Sequence, residues 1–325
     1  MTYARGSNIL ASDLNTFIGA NNVSTAYASA AAATAKVAAL YGVGFGDRGY
    51  GQTAPTLDPV TVGSPIQASK WIEIRTALST MATFQGTATT LLPPASAFVA
   101  GSAIVPQVPA ITSYDMQGMI DLIDDNRLTA NAANMTIVTD STTSTRGSSW
   151  GTNAVPSITA EFRATFTSEN NARYFFNSGG TLNLNLSHTS TSSTSQNTNW
   201  KTILTNLGTI AIGARGTSRS GAGGTPIARG YYDLSTTLQS VFSGNIGTGA
   251  YSSNSITVTA AVASVAGVNG GNGTVVIIRV VLTDSHTNSF SDTVASGIVA
   301  SVGYKKAASV ITGITNPTFT VSVNF

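Results

Sequence analysis

The chain contains no cysteine, which excludes a disulfide framework, a Cys-ligated metal and a thiol nucleophile. Stability must then come from length, sheet closure or oligomerisation. Charge is nearly as scarce: Asp, Glu, Lys and Arg make up 9% of the 325 residues, against about 25% in an ordinary soluble domain. Ser, Thr, Asn and Gly take their places. Such a surface is hydrated, yet carries little charge to be desolvated when another subunit docks. The expectation is a protein that ends in an assembly.

Other absences narrow the field further. Disorder is excluded, because disordered chains pair low hydrophobicity with high net charge. Here the hydrophobic fraction is 42% and the net charge +2. The pI near 8.9 rests on that small surplus. The densest basic group, Arg215, Arg219 and Arg229, sits among glycines without interleaved aromatics, so nucleic-acid binding is not expected. The segment Met1 to Ser7 lacks the apolar run of a signal peptide. Ala26 to Leu40 carries Ser29, Thr34 and Lys36 and is too short to span a bilayer. Neither export by this route nor membrane insertion is expected.

What is present divides into two textures. Up to about Arg127 the apolar spacing is helical, and from Met135 it alternates. A weak repeat marks the first part. Gly6-Ser7-Asn8-Ile9-Leu10-Ala11-Ser12-Asp13-Leu14 resembles Gly63-Ser64-Pro65-Ile66-Gln67-Ala68-Ser69-Lys70-Trp71, and Ile111 to Met116 is a looser copy. Ser12, Ser69 and Ser113 are candidate N-caps. Trp71, Ile74, Leu78 and Met81 then share one stripe, as do Met116, Met119, Ile120 and Ile123. Three short helices are expected, with a fourth, Ala-rich one after Asn21. Pro93-Pro94 and Pro106 to Pro109 separate them.

The second part reads as strands: Ser157 to Phe166, with Ile158, Phe162 and Phe166 on one face, then 181–187, 209–213, 255–262, 274–283, 295–302 and 318–325. Gly267 to Gly273 suits a hairpin turn needing positive φ. Trp200, Ile203, Leu204 and Leu207 mark a helix inserted between strands, while Ser187 to Asn199 reads as a solvated loop or hairpin. The fold class expected is α+β: a short-helix docking or oligomerisation region over 1–134, followed over 135–325 by an antiparallel β-sandwich or jelly-roll-like domain.

Candidate chemistry is thin. His188 and His286 lack the neighbours a hydrolase triad requires and read as surface residues. A glycosidase needs facing carboxylates, for which Glu161 with Asp233 or Asp284 are the candidates. Asp121, Asp124 and Asp125 lack the EF-hand spacing and distal Glu, so a solvated helix face is expected, with pairing to Arg127 or a partner open. The glycines of 42–51 do not join a strand to a helix as a dinucleotide loop must, and 213–224 has no P-loop lysine. Both read as turns whose bare backbone admits another chain. No catalytic, cofactor-binding or metal-binding residue is assigned, and no cofactor is expected.

Ala172-Arg173-Tyr174-Phe175-Phe176-Asn177-Ser178-Gly179-Gly180, preceded by the strand ending at Phe166-Thr167-Ser168, resembles a motif in virion structural proteins of cyanophages and other tailed phages. Gly6 to Asn15, with Gly46-Asp47-Arg48-Gly49-Tyr50-Gly51-Gln52, looks like the start of the same proteins, and Asn199-Trp200 with Leu204 to Ile210 also fits. The likeness covers the first half and the opening of the β-domain, to about Tyr251. It implies a non-enzymatic virion component of the tail, neck (collar) or fibre, and no catalytic residue. Expected partners are copies of itself, as trimer or hexamer by analogy with tail symmetry, and other virion proteins. Nucleic acid and membrane are not expected. The alternative is a receptor- or glycan-binding adhesin module using Tyr231-Tyr232, Tyr251 and Asn-rich loops against a host surface glycan. A glycan depolymerase is the third reading. By itself the 173–176 run reads as a buried aromatic anchor beside a turn, leaving Arg173 to pair with an acid or a neighbour.

Overall fold

Six α-helices and eleven strands follow one another in a computed structural model that describes residues 11–19, 37–52, 59–62, 64–98, 115–265, 267–285, 293–308 and 311–325. The helices α1 (Ala11–Ile18), α2 (Val37–Tyr41), α3 (Ala68–Gln85) and α4 (Met116–Asp125) precede every strand. Both apolar stripes are buried as their spacing requires: Trp71, Ile74, Leu78 and Met81 on α3, and Met116, Met119, Ile120 and Ile123 on α4. The serine caps are corrected. Helix α3 begins at Ala68 after Gln67 with no side-chain cap, and α1 begins at Ala11, so Ser69 and Ser12 lie inside their helices. Ala68 packs against the core, and α3 starts two residues before the position a Ser69 cap would give. Helix α4 is capped instead by Asp115, whose carboxylate accepts from the Gly118 N–H at 2.9 Å. Ser113, most of the Ala-rich stretch and Pro106 to Pro109 lie outside the described residues.

From Met135 the chain builds two antiparallel sheets. The strands are β1 (Met135–Thr145), β2 (Ser157–Thr165), β3 (Thr181–His188), β4 (Ile210–Ile212), β5 (Thr217–Arg219), β6 (Thr225–Pro226), β7 (Gln239–Asn245), β8 (Ser255–Val262), β9 (Val275–Thr283), β10 (Ile298–Ala307) and β11 (Thr318–Val323). One sheet runs β1-β10-β3-β4-β5, the other β11-β2-β9-β8-β7-β6. This is the expected α+β class with a sandwich-like arrangement. Ile158, Phe162 and Phe166 are buried, as are Val276, Ile278, Val280 and Leu282 of β9. The β8–β9 hairpin turns through Asn269 and Gly270, both at positive φ.

Four strands had no run of their own in the sequence. Strand β1 is an edge strand whose Thr- and Ser-rich side chains are mostly exposed, so the alternation expected from Met135 is corrected and begins with β2. Strands β5 and β6 are too short to show a period, and β7 is interrupted by a register shift between Ser240 and Phe242. Strand β10 runs further than 295–302, reaching Ala307. The edge strands of the two sheets also meet. Phe325 N–H donates to Ser144 Oγ at 2.9 Å, and Thr217 N–H to the Ile227 carbonyl at 3.2 Å. Such contacts occupy edges that would otherwise template association with strangers.

Two helices lie within the β region. Helix α6 (Ser195–Leu207) buries Trp200, Ile203, Leu204 and Leu207, as their spacing requires. It also takes the end of the polar stretch 187–199: Thr194 caps it, and Gln196 and Asn197 are buried. Burial of those amides follows from their hydrogen bonds, which composition does not reveal. Helix α5 (Glu169–Asn177) holds the aromatic run and is capped by Ser168. Its Phe175 and Phe176 meet at 5.1 Å edge to face, and both lie against Phe166. The hydrophobic core is one continuous cluster from Leu14 to Ile314.

Candidate functional site

Charged side chains converge where the glycine-rich loop 42–52 meets α5. The loop is knotted by left-handed glycines: Gly44, Gly46, Gly49 and Gly51 all have positive φ. At Gly51 a Cβ would collide with the Tyr174 ring. These turns point several carbonyls in one direction, and Arg173, fully buried, receives them. Its Nη2 donates to the carbonyls of Val43, Gly46 and Arg48 at 3.2, 3.1 and 3.0 Å, its Nε to Gly46 at 3.2 Å, and its Nη1 to Asn170 Oδ1 at 2.9 Å. One turn on, Asn177 Nδ2 donates to the carbonyls of Gly46, Arg48 and Gly49. The expectation that Arg173 pairs with an acid is therefore corrected. A planar guanidinium with five donors matches a cluster of carbonyls as well as a carboxylate.

Around this centre lies a ring of ion pairs. Arg48 grips Asp124 with two bonds, at 2.7 and 2.8 Å. Asp47 accepts from Arg127 and from Arg215, both at 3.1 Å. Arg215 also reaches Asp233 at 3.4 Å and lies 4.8 Å over the Tyr232 ring. Burial pushes the Asp47 carboxyl up, but Arg127 and Arg215 outweigh it and hold it below the ordinary carboxylate range. Asp124 is thus buried and paired rather than on a solvated face, while Asp121 stays exposed and accepts from Gln117. Tyr50 donates to the Arg127 carbonyl at 2.9 Å and accepts from Gln85 at 2.9 Å; burial pushes its phenol up to about 12.

Tyr231 and Tyr232 belong to the same knot and offer no sugar platform. Tyr231 stacks on Phe176 at 4.5 Å and donates to the Gly273 carbonyl; Tyr232 donates its hydroxyl to Gly46 O or Asn177 Oδ1, each at 2.7 Å. Burial pushes both phenols far up. Every one of these contacts joins residues of this chain, and α5 approaches the backbone that the glycines lay bare.

The other candidates do not converge. Glu161 faces outward from β2, opposite Arg279 of β9, which donates to it at 2.6 Å, and it accepts from Ser322 at 2.7 Å. Burial pushes its carboxyl up, but Ser322 and Arg279 bring it below the ordinary value, the reverse of what a general acid needs. Asp284 lies beyond the far end of the paired strand, five residues along the register, or roughly 17 Å. No cluster of three or more His, Cys, Asp or Glu suits a metal among the described residues. His286 lies outside them.

His188 is the last residue of β3 and is half-buried, so the surface reading is corrected. Burial pushes its imidazole below the ordinary 6.5, and Lys201 adds to the effect against neighbouring backbone groups. A histidine kept neutral when folded takes up a proton on unfolding. Its contribution to stability is complete above about pH 6.5 and is lost as pH falls below that. Urea midpoints are therefore expected to fall on acidification below that pH, and His188→Gln is expected to flatten that limb of the curve.

No family model, curated protein or solved structure matches the chain.

Proposed function

We propose that this chain is a non-enzymatic structural component of a tailed-phage virion, in the tail, neck or fibre, assembling with copies of itself and with other virion proteins. One observation carries the reading. Two of the segments that resemble phage virion proteins, 46–52 and 172–180, are the two faces of the junction: Arg173 and Asn177 hold the carbonyls of 46–49, and Tyr174 lies on Gly51. The residues of these two segments thus serve architecture, which supports a structural role.

The disposition of charge supports the same reading. Asp47, Arg48, Asp124, Arg127, Arg173, Arg215 and Asp233 all serve the junction, and Glu161 with Arg279 neutralise each other. The outer surface is therefore poorer in free charge than the composition suggests. Strand β9 adds a place for a second copy. Its outward residues Val275, Ile277 and Val281 are half-buried, and their cross-strand neighbours on β2 and β8 include Thr159, Thr257 and Ala261. A strand apolar on both sides ordinarily has both faces covered. On this face Arg279 is paired with Glu161, and the exposed Arg163, cross-strand from Ile277, is the charge that a second copy must accommodate.

Light scattering of the purified protein is expected to give a trimer or hexamer, and immunogold labelling of particles to decorate the tail or neck. A monomer at every concentration that binds no particle protein overturns the reading. Ile277→Asp is expected to weaken self-association at least tenfold, about 1.4 kcal/mol, with unchanged circular dichroism.

A further inference from the structure

Where α6, β9 and the β1–β2 connection meet, the sandwich buries a cluster of polar groups that protein atoms do not satisfy. Trp150, Gln196, Trp200 and Asn254 are all fully buried. The indole N–H groups of Trp150 and Trp200, Gln196 Oε1 and Asn254 Nδ2 each lack a hydrogen-bond partner. Buried polar groups are nearly always paired, and leaving one unpaired costs about 1–3 kcal/mol.

These groups belong to one place. Gln196 and Trp200 stand one turn apart on α6, on the same face. The rings of Trp150 and Trp200 lie 5.1 Å apart. Gly151 follows Trp150 at φ 77, and a Cβ there would lie 2.5 Å from Asp284 Oδ2 and 3.2 Å from Gln196 Nε2. Gln196 Nε2 donates to Asp284 Oδ2. Asn254 is tied in through its Oδ1, which accepts from the Ser285 N–H at 3.0 Å.

We propose that this cluster is an internal site for ordered water. The donor set selects the ligand. Two indole N–H groups and an amide N–H need an acceptor, while Gln196 Oε1 needs a donor. A cation would face three donors, and an anion would face the Asp284 carboxylate. Water both accepts and donates, and polar sites with two to four partners are where buried water resides. The bound water adds to the Trp150–Trp200 and Gln196–Asp284 contacts that already join α6 to the β1–β2 connection and the end of β9.

The test uses the full-length protein labelled with nitrogen-15. The chain has three tryptophans, so Trp71→Phe leaves the indole signals of Trp150 and Trp200, and Trp150→Phe distinguishes them. Nuclear Overhauser cross-peaks from both indole N–H protons to the water resonance, with the sign of a long-lived contact, are expected. Cross-peaks at neither indole, or at only one, overturn the shared site. Because the reading is made in protein whose spectrum shows it folded, loss of structure in a variant cannot imitate either result.

Discussion

Arg173→Ala is expected to destabilise the protein by about 4 kcal/mol or more, which places it among the exceptional single substitutions. The guanidinium supplies donors to the carbonyls of Val43, Gly46 and Arg48 from a fully buried position. Hydrogen bonds to a charged group contribute about 1.5–3 kcal/mol each, though not additively. Asn177 and Tyr232 retain some hold on Gly46 and Arg48, but among the described residues the Val43 carbonyl is bonded by Arg173 alone. Urea denaturation measures the loss, and amide exchange locates it: protection is expected to fall first in 42–52. Arg173→Lys keeps the charge but replaces a planar fork by a point donor, so it should recover only part of the stability. A wild-type midpoint for Arg173→Ala would show that the junction contributes nothing.

Phe176→Ala is expected to cost about 3–5 kcal/mol, the range for deleting a large buried aromatic, and roughly 10 °C in Tm. Phe176 is packed between Phe166, Phe175 and the parallel ring of Tyr231. Its loss opens a cavity between α5 and the 3₁₀ turn Tyr231–Asp233, whose Asp233 also holds Arg215. The two substitutions should therefore couple. In the double variant the summed losses should exceed the measured one, because the junction, once released, cannot be released again. Additive losses in a double-mutant cycle would separate the aromatic cluster from the ion-pair ring.

Legibility in the sequence followed local periodicity. The stripe Trp71, Ile74, Leu78 and Met81 shows because a helix returns to the same face every turn, and β2 shows because alternate residues face the core. Strand β1 does not show, since an edge strand with exposed Thr and Ser on both faces leaves no alternation. Gln196 and Asn197 were hidden for a related reason. An amide reads as solvent-facing until its partners, Asp284 and the Ala295 N–H, are in view.

The helical stripes, most of the strands, the β8–β9 turn, the absence of thiol chemistry and the poverty of charge follow from the amino-acid order alone, because each depends on residues close along the chain or on composition. Tertiary structure decided where the few charges go. Arg173 lies more than a hundred residues from the loop whose carbonyls it holds, and Arg215 is similarly far from Asp47. No period of two or 3.6 residues encodes such a meeting. Only the packing of α5 against a loop bent by left-handed glycines turns an isolated arginine into the centre of the junction.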